Sequence, residues 1–295
     1  MKTITNLLLL VVCVTTFTFA DDKPVAKKPD YSKASFYIRA IVPEGKKSPR
    51  SLETAIVTFA GENGLTVDLV AAIHVGDKAY YEKLNDIFKQ YDIVLYELVA
   101  EEGHPVDKES FTNRKEKNVL GSFQEGMAEM LGLEHQLHHV DYAAKNFVHA
   151  DLSPEEFFKR FSERGDMMQM LMRAILLALQ KNGGDSAKKE MYNQGRFLGA
   201  MLARDPSLPL KRTLASMMYD QMEDGSWVIN GDGSSIITDR NAACLKVLKK
   251  TIKDGKKKIA IFYGGAHLSE FAKSLEKDFK LKYVESKWVV AWDLN

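Results

Sequence analysis

The sequence predicts an α/β fold, a mixed β-sheet core with flanking helices and a large all-helical insertion. Three observations carry that expectation. Near both ends of the chain, short apolar runs rich in β-branched residues alternate with amphipathic helical stretches. Ile93–Tyr96 is a continuous apolar run and reads as a strand buried on both faces, and Lys258–Tyr263 reads as a further strand. Between them, from about Asn118 to Glu223, the pattern is helical.

Met1–Ala20 reads as a cleaved signal peptide. Lys2 is its charge, Leu7–Val14 its apolar core and Thr18-Phe19-Ala20 its small-x-small cleavage site. The chain is therefore expected to be exported, either periplasmic or secreted. No transmembrane segment is expected after cleavage, since no second long apolar run follows. Asp21–Ala34 is charged and Pro-containing and reads as a flexible leader. Cleavage removes Cys13 and leaves Cys244, so no internal disulfide is expected. Residues 35–295 are enough for a single domain with its own core. A net charge of +1 and the lack of a basic-aromatic stripe argue against nucleic-acid binding.

Phe36–Val42 is the first strand candidate. Ser51–Phe59 and Leu65–Ile73 flank Gly61-Glu62-Asn63-Gly64, which predicts a β-hairpin. Val67–Ile73 then runs into His74. Asp77 is placed to cap a helix whose apolar positions are Tyr80, Tyr81, Leu84, Ile87 and Phe88. Ile93–Tyr96 follows and ends in Glu97. This strand–helix–strand unit is expected to set His74 and Glu97 beyond the carboxyl ends of two neighbouring parallel strands, where open α/β sheets bind ligands. A carboxylate directly after buried residues is costly unless paired, metal-bound or open to a cleft.

The insertion, about 118–223, has helix candidates at 119–137, 154–164, 166–181, 186–204 and 208–222, with Ser153-Pro154 as a cap and first turn. Eleven of the twelve methionines lie between Met127 and Met222, either as helical core or as an adaptable apolar surface. Glu223–Ser235 reads as a Gly-rich loop. A helix over 239–253, the strand Lys258–Tyr263, the turn Gly264-Gly265-Ala266-His267, a helix to Phe279 and a strand over Tyr283–Trp292 close the chain.

His74 and His267 both stand at strand-to-helix turns preceded by small residues. Each following helix leads to a strand with a carboxylate, Glu97 or Glu285, a faint sign of duplication. Two such histidines with a carboxylate point to a metal or acid–base site. Arg240, in the first turn of its helix, opposes the helix dipole. It is expected either to salt-bridge Asp239 or another carboxylate, or to meet a substrate oxyanion. Thr238 or Asp239 would cap that helix. His135-Gln136-Leu137-His138-His139 lacks the Glu of HExxH and reads as polar helix surface. His149-Ala150-Asp151 precedes a helix cap and could reach a site. There is no nucleophile elbow and no phosphate-binding loop.

His74, Glu97, Arg240-Asn241 and Gly264-Gly265-Ala266-His267 together resemble the TraB/PrgY/GumN family, related to the Tiki proteins. The likeness covers about 36–292, densest at 66–99 and 236–271. It departs at Ala71, where a Gly-x-x-His turn has Gly. The resemblance implies an α/β core shared with erythromycin-esterase-like and ChaN-like proteins, interrupted by a helical insertion. It also implies metal-dependent proteolysis, as in Tiki proteins, action on peptide pheromones, ester hydrolysis or haem binding.

The expected function is an exported metal-dependent hydrolase, a metalloprotease-like peptidase or an esterase acting on a peptide or small ester. His74, His267 and Glu97 would hold a divalent metal (Mn, Co or Zn), with Glu97, His74 and Arg240 catalytic and Asn241 and Asp151 supporting them. The alternatives are a non-catalytic exported binder of peptide, metal or haem, and an assembly partner presenting its Met-rich helices.

Overall fold

A computed structural model describes residues 29–31, 33–46, 48–101, 129–165, 185–223 and 235–295. The expected signal peptide, most of the leader, the helix over 166–181, nearly all of the Gly-rich loop and residues 119–128 of the first helix candidate lie outside these. The chain divides into two compact units, residues 1–30 and 31–295, and every element below belongs to the second. Tyr31, expected in the leader, is instead 6% exposed. Its ring lies 5.5 Å from Phe36 and 5.7 Å from Phe59, and that aromatic packing draws it into the core.

Nine strands are described: β1 (Ile38–Ile41), β2 (Ser51–Ala60), β3 (Thr66–Ala72), β4 (Val75–Gly76), β5 (Ile93–Tyr96), β6 (Glu134–His135), β7 (Phe147–His149), β8 (Lys258–Gly264) and β9 (Lys282–Asp293). The helices are α1 (Lys78–Phe88), α2 (Gln136–His139), α3 (Pro154–Glu163), α4 (Asp185–Met201), α5 (Ser207–Glu223), α6 (Arg240–Lys253) and α7 (Leu268–Lys277). The fold is α/β, with one mixed sheet and flanking helices. Among the described residues no helix is long and apolar enough to cross a membrane.

The main sheet runs β9, β2, β3, β8, β5, β7. β2 runs antiparallel to both β9 and β3, while β3, β8, β5 and β7 are parallel. The hairpin between β2 and β3 forms as expected, with Asn63 at φ 56° and Gly64 at φ 74°. β8 is the central strand, and its residues Ile259–Tyr263 are at most 1% exposed. Each large side chain buried to this extent contributes about 1.5–3 kcal/mol.

β8 also corrects one expectation. β3 and β5 are not neighbours, because β8 pairs with both and separates them. The pattern of a duplicated unit fails for a related reason. β9 lies at the opposite edge, antiparallel to β2, and Glu285 sits in its middle against Lys287.

β1 pairs with the first half of β2, and β3 with the second half. β9 covers the whole of the other edge of β2, so β1 lies in line beyond the carboxyl end of β3. There Ile38 meets Gly265, where a Cβ would stand 2.7 Å from the Ile38 Cδ1.

Helix α1 buries Tyr80, Tyr81, Leu84 and Phe88 on one face, as its spacing predicts. Asp77 stands at its N-cap position but makes no side-chain cap. Its Oδ1 accepts from Lys211 Nζ at 2.9 Å and its Oδ2 from the Asp293 N–H at 2.6 Å, so tertiary partners take the carboxylate. Ser153 and Glu156 do form a capping box on α3. The insertion is not helical throughout, since β6 and β7 lie inside it. Strands of two and three residues are too short to show a period. On α4, Met191, Tyr192, Leu198 and Met201 are exposed, while Ala200 is buried.

Candidate functional site

The four parallel strands end on one side of the sheet, and each delivers a functional side chain there. β3 leads to His74, β8 to Gly264 and His267, β5 to Glu97, and β7 to Asp151. Short bonds tie these ends together. The Glu97 N–H donates to the Phe262 carbonyl, and the Ala150 N–H to that of Tyr96. The Tyr263 hydroxyl donates to the Ala150 carbonyl at 2.5 Å, and His149 Nε2 donates to the Leu98 carbonyl at 2.6 Å.

Glu97 is the centre of the cluster. Its Oε2 accepts the Gly264 N–H at 2.6 Å, and its Oε1 lies 2.8 Å from Arg240 Nη2 and 3.5 Å from His267 Nε2. Burial alone would raise this carboxyl, but His267, Arg240, the Gly264 N–H and His74 together hold it down at about 2.

Arg240 reaches into the sheet from the start of α6. Its Nη2 lies 2.5 Å from Asp151 Oδ2, and its Nε donates to Asp151 Oδ1 at 3.0 Å. The Asp151 side chain is fully buried. Of the two expectations for Arg240, the salt bridge is present, with Asp151 and Glu97 as partners in place of Asp239. Burial works against the guanidinium charge, but Asp151 and Glu97 outweigh it and raise the Arg240 pKa. Nη1 makes no hydrogen bond among the described residues.

Neither expected cap serves α6. Asp239 accepts two bonds of 2.8 Å from Arg164, and Thr238 donates to Glu270. The first turn of the helix is thus fixed by ion pairs, with a π-helical turn, Ser235–Asp239, leading into it.

Asn241 is fully buried directly behind His267. Its Nδ2 donates to the His267 carbonyl at 3.2 Å, which leaves Oδ1 as the acceptor 2.7 Å from His267 Nδ1. Nδ1 therefore carries a proton, and in the neutral ring Nε2 carries a lone pair directed at Glu97. Burial pushes His267 below the usual histidine range, although Glu97 opposes the shift. An ionised carboxylate and an imidazole lone pair thus face each other, in a cluster with two carboxylates and one guanidinium.

His74 is exposed at the rim. The turn bearing it is held by its backbone. Tyr80 donates to the Ala71 carbonyl, Tyr81 to that of Ile73, and the Gln136 N–H to that of His74 at 2.8 Å. Of the three expected metal donors, Glu97 and His267 therefore stand together, with His74 outside them. Among the described residues, no group of three or more His, Cys, Asp or Glu is spaced to hold a metal ion.

The His135–His139 segment is not plain helix surface. β6 pairs with β4 just after His74, and Gln136 is 5% exposed with Nε2 donating to the Tyr142 hydroxyl. Gln136, Tyr142 and Tyr263 belong to the site's surroundings, and sequence reasoning missed all three. For Tyr263, its place at the end of the central strand was the available signal. Comparison with protein-family models, curated proteins and solved structures gives no match in any of the three.

Proposed function

We propose that the chain is an exported hydrolase of peptide or small ester bonds, with Glu97, His267 and His74 as its reacting centre. The observation that carries this reading is the facing pair, His267 Nε2 and Glu97 Oε1 at 3.5 Å, in a buried cluster with an excess of carboxylate. Such a position favours a proton or a cation. The likeness of the site residues to the TraB/PrgY/GumN family points the same way.

Neutral His267 takes a proton from water at Nε2, and Glu97 stabilises the imidazolium that results. Asn241 holds the ring in the required tautomer. Asp151 anchors Arg240, whose Nη1 is left to donate to a developing oxyanion, a role worth about 2–4 kcal/mol. As an alternative to that proton transfer, the donor chemistry of the facing pair suits a divalent metal such as Mn, Co or Zn, for which Glu97 and His267 Nε2 would be ligands, Nε2 then no longer serving as the base, with His74 left at the rim. When bound, it would act as a Lewis acid that makes water easier to deprotonate.

A second reading, a non-catalytic binder of peptide, metal or haem, is favoured by how closed the site is. The Glu97 side chain is 13% exposed and that of His267 5%. One measurement tests for the metal, and a second, turnover, separates the readings. Metal content by mass spectrometry, on protein purified without chelator, should show a divalent ion that His74→Ala/His267→Ala abolishes. Turnover of peptide and ester panels should be lost in Glu97→Gln with the fold intact. No turnover by wild type on either panel, with or without Mn, Co or Zn, would leave the binder standing and overturn the hydrolase.

A further inference from the structure

β9 is an edge strand. It pairs with β2 along its length, and among the described residues no strand lies on its other side. Such an edge is a template for a further strand unless something protects it. Two features protect most of β9. Its first half carries Lys282, Glu285 and Lys287, all exposed, and a register shift against β2. At its far end Asp77 stands in for a strand partner. The Asp77 N–H donates to the Ala291 carbonyl at 2.9 Å, and Asp77 Oδ2 accepts the Asp293 N–H at 2.6 Å.

Between these guards lie Trp288, Val289 and Val290, which carry no charge. An open groove of about 540 Å³ runs against them, walled by Ala79 and Lys83 of α1 and by Arg50 just before β2. Solvent reaches it freely: Val290 is 46% exposed, and Ala79, Lys83 and Arg50 are exposed as well. Its volume lies within the range of ligand-binding clefts.

We infer that this groove binds an extended, acidic segment of another polypeptide, which adds to β9 as a short further strand. An edge strand turns N–H and C=O groups outward at intervals, and another extended backbone satisfies them. The charges around the groove give the sign of the partner. Glu53 is paired with Arg39 and Asp77 with Lys211, and Asp293 Oδ1 accepts from Asn295. Arg50 and Lys83 have no ion pair among the described residues, so a carboxylate is the charge they suit. A second copy of the chain fits poorly. Two-fold pairing through Val289 sets Lys287 of one copy opposite Ala291 of the other, whose carbonyl Asp77 already holds. The open stretch is short enough for a peptide and too short for a second sheet. The groove ends beside the candidate site, since Trp292 Nε1 donates to the carbonyl of Val75, the residue after His74. Glu97, His267 and Arg240 take no part in it, so binding here requires no turnover.

The test is fluorescence anisotropy of the full chain with fluorescein-labelled Thr-Val-Glu-Val-Thr amide. Half-saturation is expected below about 1 mM, and no binding at that concentration overturns the proposal. Only one alternate set of peptide N–H groups can face β9. Methylating that set of amide nitrogens should weaken binding about tenfold or more, while methylating the other set is tolerated. Equal loss from both, or loss from neither, overturns strand addition without recourse to any variant.

The charge of the partner is read with Arg50→Glu/Lys83→Glu. Both side chains are exposed, and an unchanged urea midpoint shows that the fold is kept. The variant should bind the acidic peptide about tenfold more weakly and prefer the peptide with Lys in place of Glu. Unchanged affinity and preference would put the peptide elsewhere and overturn the groove. Sedimentation gives the last arm. Self-association of the wild type that Val290→Lys abolishes would make a second copy the occupant and overturn the proposal, whereas a monomer in both supports it.

Discussion

Asn241 Oδ1 lies 2.7 Å from His267 Nδ1 and fixes which nitrogen of that ring faces Glu97. The Asn side chain is itself oriented by its bond to the His267 backbone, so the two contacts act as one clamp.

Replacing Asn241 by Leu removes the acceptor. Wild-type His267 is expected to be the Nδ1–H tautomer by side-chain nitrogen NMR, whereas Asn241→Leu should show a mixture or the Nε2–H form. An unchanged spectrum would mean that the clamp does not set the tautomer. Stability should also fall by about 1–3 kcal/mol, because Nδ1–H is left buried without a partner.

Asp151→Ala strips Arg240 of its fully buried partner and leaves Glu97 alone to balance it. Breaking a buried ion pair from one side costs about 3–5 kcal/mol. Urea denaturation should show that loss as a lower midpoint. A change below about 0.5 kcal/mol would place the pair in solvent, not in the core.

The pH dependence has one sign in two windows. Burial lowers the pKa of His267 in the folded state, and its partners lower that of Glu97 from 4.5 to about 2. In both windows the unfolded chain binds more protons, so stability rises with pH. The His267 contribution is present above the ordinary histidine value, about 6.5, and is lost as pH falls through it. The Glu97 contribution is present above 4.5 and is lost as pH falls toward about 2. Denaturation midpoints at stepped pH should slope in both windows. Glu97→Gln should flatten the lower one, and an unchanged slope there would remove Glu97 as its source.

Gly265 has Ile38 against it, so Gly265→Ala forces that side chain to move. The expected cost is about 1–3 kcal/mol. Because the contact is the tip of a flexible side chain, Ile38→Ala should relieve it, and a double-mutant cycle would read the coupling directly. Strictly additive effects would rule out the contact.

How far the sequence could be read depended on whether the signal was local. Ile93–Tyr96 and Lys258–Gly264 were legible because strands buried on both faces need apolar runs. Glu97 and His267 stood out because they end such runs. The insertion of β8 between β3 and β5 was not legible, since pairing partners about 190 residues apart in the chain leave no local mark. Asp77 and Asp239 looked like caps from their neighbours, yet Lys211 and Arg164 claimed their carboxylates. Gln136 was judged by the Glu it replaces in a motif. Its burial, visible only in the folded chain, is what gives it interest.

The central position of β8 has a consequence for synthesis. The strand that joins β3 to β5 begins at Lys258, so most of the chain must emerge before the middle of the sheet can close. Until then β3 and β5 have no common partner, and the residues of the site stay apart on segments that cannot dock. Long-range pairing of this kind is slow to form. A chain built this way cannot join the two halves of its parallel sheet, or assemble the cluster at their ends, until nearly all of it has been made.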